Sequence, residues 1–180
     1  MNMHARERLL DLLVKRGAAQ YGYEPVTQLA HALQAAKGAE DAGEPPALIV
    51  AALLHDIGHL VDGSDVTRVE VGEDDRHEER SAAALASCFP EAVVEPVRWH
   101  VQAKRYLCHA EPAYRDALSE ASKQSLAVQG GPMSAAEAAA FMRQPFAEQA
   151  VRLRRYDDRA KDTEARTPSP AHFRAYFDRV

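Results

Sequence analysis

Apolar residues recur every three or four positions along most of the chain, and this spacing is typical of amphipathic helices. The clearest stretch is 47–54, a nearly continuous apolar run behind Pro45-Pro46, which predicts a buried helix from residue 47 to about 60. Further helices are predicted at about 5–16, 28–37, 77–88, 91–104, 135–143, 145–163 and 171–179, with short helices after Pro112 and Ser119.

Polar stretches that contain Gly or Pro separate these helices. Thr27 is suited to cap the second helix, and Ser134 with Glu137 matches a capping box. Residues 38–46 are predicted to be a linker, 62–76 an acidic surface loop that borders a site, and 129–133 a tight loop. No stretch alternates as a half-buried strand would. The pattern predicts an all-α helical bundle, with residues 1–180 forming a single domain.

Composition narrows the class of protein further. The 180 residues are 46% apolar and 27% charged, which is ordinary for a globular chain. A net charge of −5 argues against a nucleic-acid surface. No run reaches the roughly 18 apolar residues of a membrane span. Cys88 and Cys108 match no metal or redox motif, so we expect reduced thiols and a cytoplasmic location. No pattern indicates an oligomeric state.

The apolar run ends in His55-Asp56, and His59 follows one turn later. In a continuous helix, His55 and His59 would lie on one face. Asp and His are rarely fully buried unless they are paired or bind a metal. A hydrogen-bonded pair in the core explains this stretch, taken alone, about as well as a metal site does.

The other candidate ligands also have ordinary explanations when each is considered alone. His31 lies on a largely apolar helix face, where a hydrogen-bonded core histidine is the usual reading. His77 begins a helix after the acidic loop, so a surface role is the usual interpretation. His100 follows a tryptophan, and a structural role would explain it equally well. Asp157 belongs to a charged helix face. We expect His4, His109 and His172 to be solvated.

Taken together, the motifs resemble one branch of the HD metal-dependent superfamily. They are Tyr-x-x-Glu-x-x-Thr-Gln-x-x-His (21–31), Leu-His-Asp-Ile-Gly-His (54–59), Trp-His-Val-x-Ala-Lys (99–104), Ser-x-x-Ser-Leu-x-x-Gln-Gly-Gly-Pro-Met (122–133) and Arg-Tyr-Asp-Asp-x-Ala-Lys (155–161). The branch is that of the mixed-valent di-iron oxygenases, relatives of myo-inositol oxygenase, that cleave the carbon–phosphorus bond of 1-hydroxyphosphonates. The spacing of the first motif is compressed relative to that family.

The resemblance implies an HD-domain helical bundle with two iron ions. The first iron would be held by His31, His55, Asp56 and Asp157. The second would be held by His77 and His100, with Asp56 bridging the two ions through its two oxygens. Asp157 is preferred to the adjacent Asp158 because of its spacing from Arg154 and Lys161. Imidazole and carboxylate donors also suit other divalent metals.

The same resemblance implies a phosphonate site. Its predicted residues are His59, Lys104, Ser122 and Arg154, with His59 and Lys104 at the reacting group; Ser122 is preferred to Ser125 on spacing alone. Lys and Arg suit a dianion, and Arg offers a fork of donors. Glu24 would face a cationic amine of the substrate, and Tyr21 would be a movable cover over the iron. An ordinary loop is the alternative for these last two residues.

The implied function is an O2-dependent oxygenase acting on 2-amino-1-hydroxyethylphosphonate or its trimethylammonium analogue, with phosphate and a carboxylate as products. The alternative is an HD-type metal-dependent phosphohydrolase, a phosphomonoesterase or nucleotidase, which would activate water with the same ligands. A third possibility is a non-catalytic ligand-binding domain, although the presence of all six metal ligands argues against it. The expected partners are the small phosphonate and O2, with no nucleic acid and no membrane.

Overall fold

A computed structural model describes residues 3–19, 21–61 and 74–180. Within these ranges the regular structure is helical and contains no strand, which confirms the predicted all-α class. The helices are α1 (Met3–Arg16), α2 (Gln28–Asp41), α3 (Pro46–Leu54), α4 (Gly58–Val61), α5 (His77–Ala86), α6 (Glu91–Ala110), α7 (Pro112–Ala117), α8 (Glu120–Val128), α9 (Ala135–Phe141), α10 (Ala147–Arg159) and α11 (Pro170–Arg174), followed by a short 3₁₀ helix, Phe177–Arg179.

The predicted helix from 47 to 60 is wrong, because α3 ends at Leu54 and a turn precedes the four-residue α4. Gly58 stands where this turn meets α5. Its amide donates a 2.8 Å hydrogen bond to Ser81 Oγ, and an added Cβ would collide with the carbonyl of His77. His55 and His59 therefore do not share one helix face, and their imidazoles serve different parts of the molecule.

Other helices also end at residues that differ from the predicted ones. Helix α2 continues through Gly38 to Asp41, so the first four of the nine residues in the predicted linker 38–46 are helical. The missing side chain of Gly38 lets the ring of Tyr156 on α10 lie close, where a Cβ would be 3.2 Å from the ring. Helix α6 runs six residues past Lys104, whereas α5 and α10 end earlier than predicted, at Ala86 and Arg159. Of the predicted loop 62–76, residues 62–73 lie outside the described ranges.

Helix α3 is the centre of the core. Every side chain from Leu48 to Leu54 is at most 3% exposed, and α3 packs against α2, α6 and α10. Its nearly uniform apolar sequence follows from this position, because all of its faces meet other helices. None of the helices in the described ranges combines the length and the apolar character needed to cross a membrane.

Residues near both ends of the chain join this same core. Leu10 and Leu13 of α1 pack in it together with Phe173 and Phe177. Arg6 is 2% exposed; its guanidinium donates hydrogen bonds to the carbonyl oxygens of Cys88, at 2.7 Å, and of Phe177. The shared core supports the proposal that residues 1–180 form one domain.

Candidate metal centre and substrate pocket

Four histidines and two aspartates from five separate helical segments meet in the interior. His31 lies on α2, His55 and Asp56 follow α3, His77 begins α5, His100 lies on α6, and Asp157 lies near the end of α10. The side chains of five of them are at most 7% exposed, and that of His77 is 12% exposed. All six predicted metal ligands are thus brought together.

These six side chains form two groups that lie side by side. His31, His55 and Asp157 form group one, and Asp56, His77 and His100 form group two. In group one, the Nε2 atoms of His31 and His55 are 3.2 Å apart, and Asp157 Oδ1 is 3.4 Å from His31 Nε2. In group two, the Nε2 atoms of His77 and His100 are also 3.2 Å apart.

Asp56 lies between the two groups and presents one oxygen to each. Its Oδ2 is 3.4 Å from His55 Nε2, and its Oδ1 is 3.4 Å from His77 Nε2. Both oxygens are buried, and neither receives a hydrogen bond from the described residues. A buried carboxylate without donors costs several kcal/mol (roughly) unless a cation compensates it. Its position suits a carboxylate that bridges two metal ions.

The hydrogen bonds of the four histidines leave their Nε2 atoms directed inward. The Nδ1–H groups of His31, His55 and His100 donate to the backbone carbonyl oxygens of Ala160, Ala52 and Val97 at 2.7–2.9 Å. His77 Nδ1–H donates instead to Asp75 Oδ1 at 2.9 Å. Burial lowers the pKa values of His31 and His77, but the nearby carboxylates outweigh it and raise both, that of His77 to about 9, so one Nε2–H of each pair donates to the other ring across 3.2 Å. A metal ion in each group would displace that proton and bind both nitrogen lone pairs.

The donor set fits metal ions in both groups. Ligand atoms bound to one ion at about 2.1 Å lie roughly 3.0–3.4 Å from one another in octahedral or tetrahedral geometry. Five of the six separations within the two groups are 3.2–3.5 Å, and the sixth, between His55 Nε2 and Asp157 Oδ1, is 3.9 Å. Imidazole with carboxylate suits iron, manganese or zinc, and neither cysteine belongs to either group.

Asp157, rather than Asp158, takes part in group one. The carboxylate of Asp157 is 2% exposed, and its Oδ2 lies 2.8 Å from Arg154 Nη1. Asp158 points to the other side, where it accepts hydrogen bonds from Arg154 and from the Tyr114 hydroxyl. Burial raises the pKa of Asp157, but the charge of Arg154 outweighs it and holds that pKa well below its usual value. The geometry therefore agrees with the preference based on spacing.

In group one, burial lowers the pKa of His31, but the hydrogen bond and charge of Asp157 outweigh it and raise that pKa, whereas His55 is the neutral ring. Burial lowers the pKa of His55 to about 4, so this imidazole is neutral at physiological pH. A metal ligand must be neutral, because a protonated imidazole has no lone pair to offer. Tyr21 stacks on His31 with ring centroids 4.1 Å apart. Burial and the charges of Asp56 and Asp157 raise the pKa of Tyr21, which keeps its hydroxyl protonated over the centre.

A pocket opens beside this centre and encloses about 750 Å³, including the open solvent at its mouth. It is lined by every residue that the resemblance assigned to substrate: Tyr21, Glu24, His59, Lys104, Ser122 and Arg154. His77 also lines it, so one of the candidate metal ligands borders the space in which a substrate would lie.

Two buried cations face this pocket. Lys104 is 2% exposed and Arg154 is 5% exposed. Burial and the nearby charge of Arg154 lower the pKa of Lys104 to about 7. Lys104 Nζ donates a 2.7 Å hydrogen bond to Ser125 Oγ, so Ser125 belongs to this pocket together with the predicted Ser122. Arg154 also pairs with Asp157 and Asp158, so an anion in the pocket would act mainly on Lys104, whose protonated form it would favour.

The chain belongs to the HD-domain family, which matches residues 28–166. It is 43% identical over 166 residues to the [1-hydroxy-2-(trimethylamino)ethyl]phosphonate dioxygenase (glycine-betaine-forming) of Leisingera caerulea, covering 92% of this chain and 85% of that protein. It is 47% identical over 161 residues to the hydroxymethylphosphonate dioxygenase of Gimesia maris, covering 89% of this chain and 80% of that protein. The predicted resemblance to phosphonate dioxygenases is confirmed.

This HD domain also contains pocket contacts that the sequence did not reveal. Lys161 Nζ donates to Glu24 Oε1 at 2.7 Å and to the hydroxyls of Ser119 and Ser122 at 3.1 Å. Lys161 belongs to a motif used to identify the family, but its contacts had no signal in the sequence. Asp75 contacts both His59 and His77. Its one signal was its place two residues before His77, in the loop predicted to border a site.

Proposed function

We propose that this HD-domain protein is an O2-dependent dioxygenase that cleaves the carbon–phosphorus bond of a small 1-hydroxyphosphonate. The observation that carries the proposal is the contact between the two groups of candidate metal ligands and a pocket with two buried cations. Both dioxygenase relatives, whose names specify phosphonate substrates, support the same reaction. Oxidation of hydroxymethylphosphonate by one O2 to formate and phosphate balances in atoms and charge without any external reductant.

We further propose that the two groups hold a mixed-valent Fe(II)/Fe(III) pair. His31, His55 and Asp157 would hold one ion, His77 and His100 the other, and Asp56 both. When bound, the pair supplies O2 binding and the one-electron chemistry that oxidation of a C–H bond requires. The chain itself orients the four imidazoles through their Nδ1–H hydrogen bonds, so that their Nε2 atoms face the ions.

The remaining pocket residues bind and orient the substrate. Lys104 and Arg154 would hold the phosphonate oxygens, assisted by the Ser122 hydroxyl; the Ser125 hydroxyl accepts from Lys104 and donates to the Ser122 carbonyl. His59 Nδ1 lies 3.2 Å from Asp75, which leaves Nε2 as its polar atom for the phosphonate. Lys104 and His59 would both donate hydrogen bonds to the phosphate oxygens as the carbon–phosphorus bond breaks. Tyr21 covers group one and must move if the substrate is to reach that side.

Aerobic incubation of the iron-loaded, partly reduced protein with hydroxymethylphosphonate and with [1-hydroxy-2-(trimethylamino)ethyl]phosphonate tests the function. We expect phosphate and a carboxylate, with O2 consumed in equal amount. Release of phosphate from nucleotides without O2, together with no turnover of either phosphonate, would instead identify the phosphohydrolase alternative.

The phosphonate site should lose affinity as the pH rises, because the pKa of Lys104 is lowered to about 7. Above this pH the free enzyme increasingly holds a neutral amine, which attracts a dianion poorly. We expect kcat/KM to fall by close to tenfold per unit above about pH 8. Lys104→Arg, whose side chain stays charged throughout, should flatten this limb of the profile. An unchanged alkaline limb in Lys104→Arg would assign the titration to another group.

Glu24 should discriminate between cationic and uncharged substrates. It lines the pocket, is 7% exposed, and shares its carboxylate with Lys161 and Ser119. Glu24→Gln removes the negative charge with little change of shape. We expect kcat/KM for the trimethylammonium substrate to fall about tenfold, while that for hydroxymethylphosphonate changes less than about threefold. Ser119→Ala, which removes a hydrogen bond to Glu24 but keeps its charge, is the matched control. Equal losses for both substrates would show that Glu24 acts only through Lys161.

A further inference from the structure

Asp75 stands between a candidate metal ligand and a pocket residue, and it contacts each through a different oxygen. Its Oδ1 accepts a 2.9 Å hydrogen bond from His77 Nδ1, and its Oδ2 lies 3.2 Å from His59 Nδ1. The carboxylate is 6% exposed. The two imidazole rings that it contacts are stacked, with centroids 4.4 Å apart and planes 18° apart. Asp75 therefore contacts two parallel rings that serve different parts of the site.

The contact with His77 controls how that ring presents its other nitrogen. With Nδ1–H given to Asp75, His77 Nε2 lies 3.4 Å from Asp56 Oδ1 and 3.2 Å from His100 Nε2. Among the four candidate ligand histidines, His77 alone donates to a carboxylate; the others donate to backbone carbonyls. A carboxylate partner fixes the tautomer and makes the ring a more basic ligand. The backbone amide of His77 also donates to Oδ1, at 3.3 Å, and this ties Asp75 to the start of α5.

The contact with His59 acts on the pocket. Since Asp75 takes His59 Nδ1, the remaining ring nitrogen is the one available to a ligand in the pocket that His59 lines. The same carboxylate oxygen also lies 3.3 Å from Arg80 Nη2. Arg80 approaches from α5, so Asp75 is held on a third side and its oxygens keep their positions toward the two rings.

His59, Asp75 and His77 could also be read as a third metal group, since their ligand atoms lie within 4.8 Å of one another. The contacts argue against this. His77 would need to bind ions through both ring nitrogens, and the guanidinium of Arg80 would lie beside the added cation. Asp75 is already satisfied by donors, unlike Asp56, whose oxygens have none among the described residues.

We propose that Asp75 is a positioning residue that aligns His77 for the metal of group two and His59 for the phosphonate. The inference rests on the proposed ligand set and substrate. Asp75 therefore links metal affinity at group two to substrate binding in the pocket.

The test compares Asp75→Asn with Asp74→Asn, a half-buried neighbour whose carboxylate contacts only the backbone amide of Arg76 among the contacts described. In Asp75→Asn, the amide offers one acceptor and one donor, so it cannot accept from both rings. Metal-to-protein ratios are measured after dialysis against a graded series of a competing chelator. We expect the affinity for the second metal to fall about ten- to a hundredfold in Asp75→Asn and to be unchanged in Asp74→Asn.

A double-mutant cycle with His59→Ala separates the two contacts. Asp75→Asn should raise KM for the phosphonate in the wild-type background but not in His59→Ala, whereas the loss of metal affinity should persist in both. Thermal unfolding of the metal-free variants identifies a general folding defect, in which case Asp75→Glu, which keeps both acceptors, should restore metal binding. Two metals retained by folded Asp75→Asn at wild-type affinity would overturn the proposal. The metal measurement remains decisive even if the wild-type protein turns over no phosphonate.

Discussion

Asp56→Asn is expected to leave at most one tightly bound metal and to lower turnover by at least about a thousandfold. Asn has nearly the same shape, but it has one acceptor oxygen and no charge, so it cannot serve both groups. Both oxygens of Asp56 are buried, receive no hydrogen bond that meets ordinary geometry within the described ranges, and face one group each, which suits them to bind cations. Loss of several kcal/mol (roughly) of metal-centred stabilisation corresponds to that fall in rate.

The measurement combines metal analysis with phosphate release under air. Asp41→Asn is the matched control, since Asp41 ends α2 at the surface with its side chain 61% exposed. It should retain two metals and full turnover. If Asp56→Asn bound two metals and kept more than about a tenth of the wild-type rate, the bridging role would be wrong.

His77→Ala should separate the two groups, because it removes one of the two imidazoles of group two and leaves group one intact. We expect one metal per chain, no coupled Fe(II)/Fe(III) signal in electron paramagnetic resonance, and turnover lower by at least about a thousandfold. Added imidazole should restore part of the metal binding, since the pocket that His77 lines opens to solvent.

His109→Ala is the control for this variant, because His109 lies exposed at the end of α6. It should bind two metals and give the wild-type signal. Full oxygenation by His77→Ala with one metal would remove the requirement for a two-metal centre, while leaving the phosphonate pocket itself untouched.

Asp56→Asn and His77→Ala should lower turnover more than Asp75→Asn does. Asp56 and His77 are proposed to touch the metals, so their loss should abolish the reaction. Asp75 acts through His77 and His59, so its loss should weaken metal binding and raise KM while some turnover remains. This ranking follows from the contacts of each side chain, and it can be measured in one series of proteins prepared in the same way.

The helical class and the candidate ligands were predictable because both depend on local patterns. Apolar spacing marks α1, α2, α3, α6 and α10. His55-Asp56 behind an apolar run, together with the later motifs, was enough to identify the family. His77 and His100 were weaker when considered alone, since a surface position and a core hydrogen bond explained them equally well. Only their approach to Asp56, at 3.4 and 3.5 Å, distinguishes them from structural histidines.

Helix ends were harder to predict because distant residues determine them. Gly38 did not end α2, since the absence of a side chain there serves the packing of Tyr156, more than a hundred residues later. Gly58 stands at the break after α3 because α5 approaches it closely. In both cases local helix propensity was overridden by packing between helices.

The pocket shows the same division between sequence and tertiary structure. Lys104 and Arg154 could be predicted from their motifs, but the choice of Ser122 over Ser125 could not be decided from spacing. In the structure Lys104 donates to Ser125, while Ser122 contacts Lys161. The contact between Lys161 and Glu24 joins residues 137 positions apart, which no periodicity along the chain encodes.

By itself, the sequence determined the all-α class, the family and the identity of the six candidate ligands, because helix periodicity and motif spacing are properties of neighbouring residues. The resemblance also implied that Asp56 lies between two groups and that His59 serves the substrate rather than the metal. The tertiary structure decided the distances within the two groups, the break in the helix between His55 and His59, and the contacts by which Asp75 joins group two to the pocket. These are relations among side chains on separate helices, so they exist only once the helices have packed.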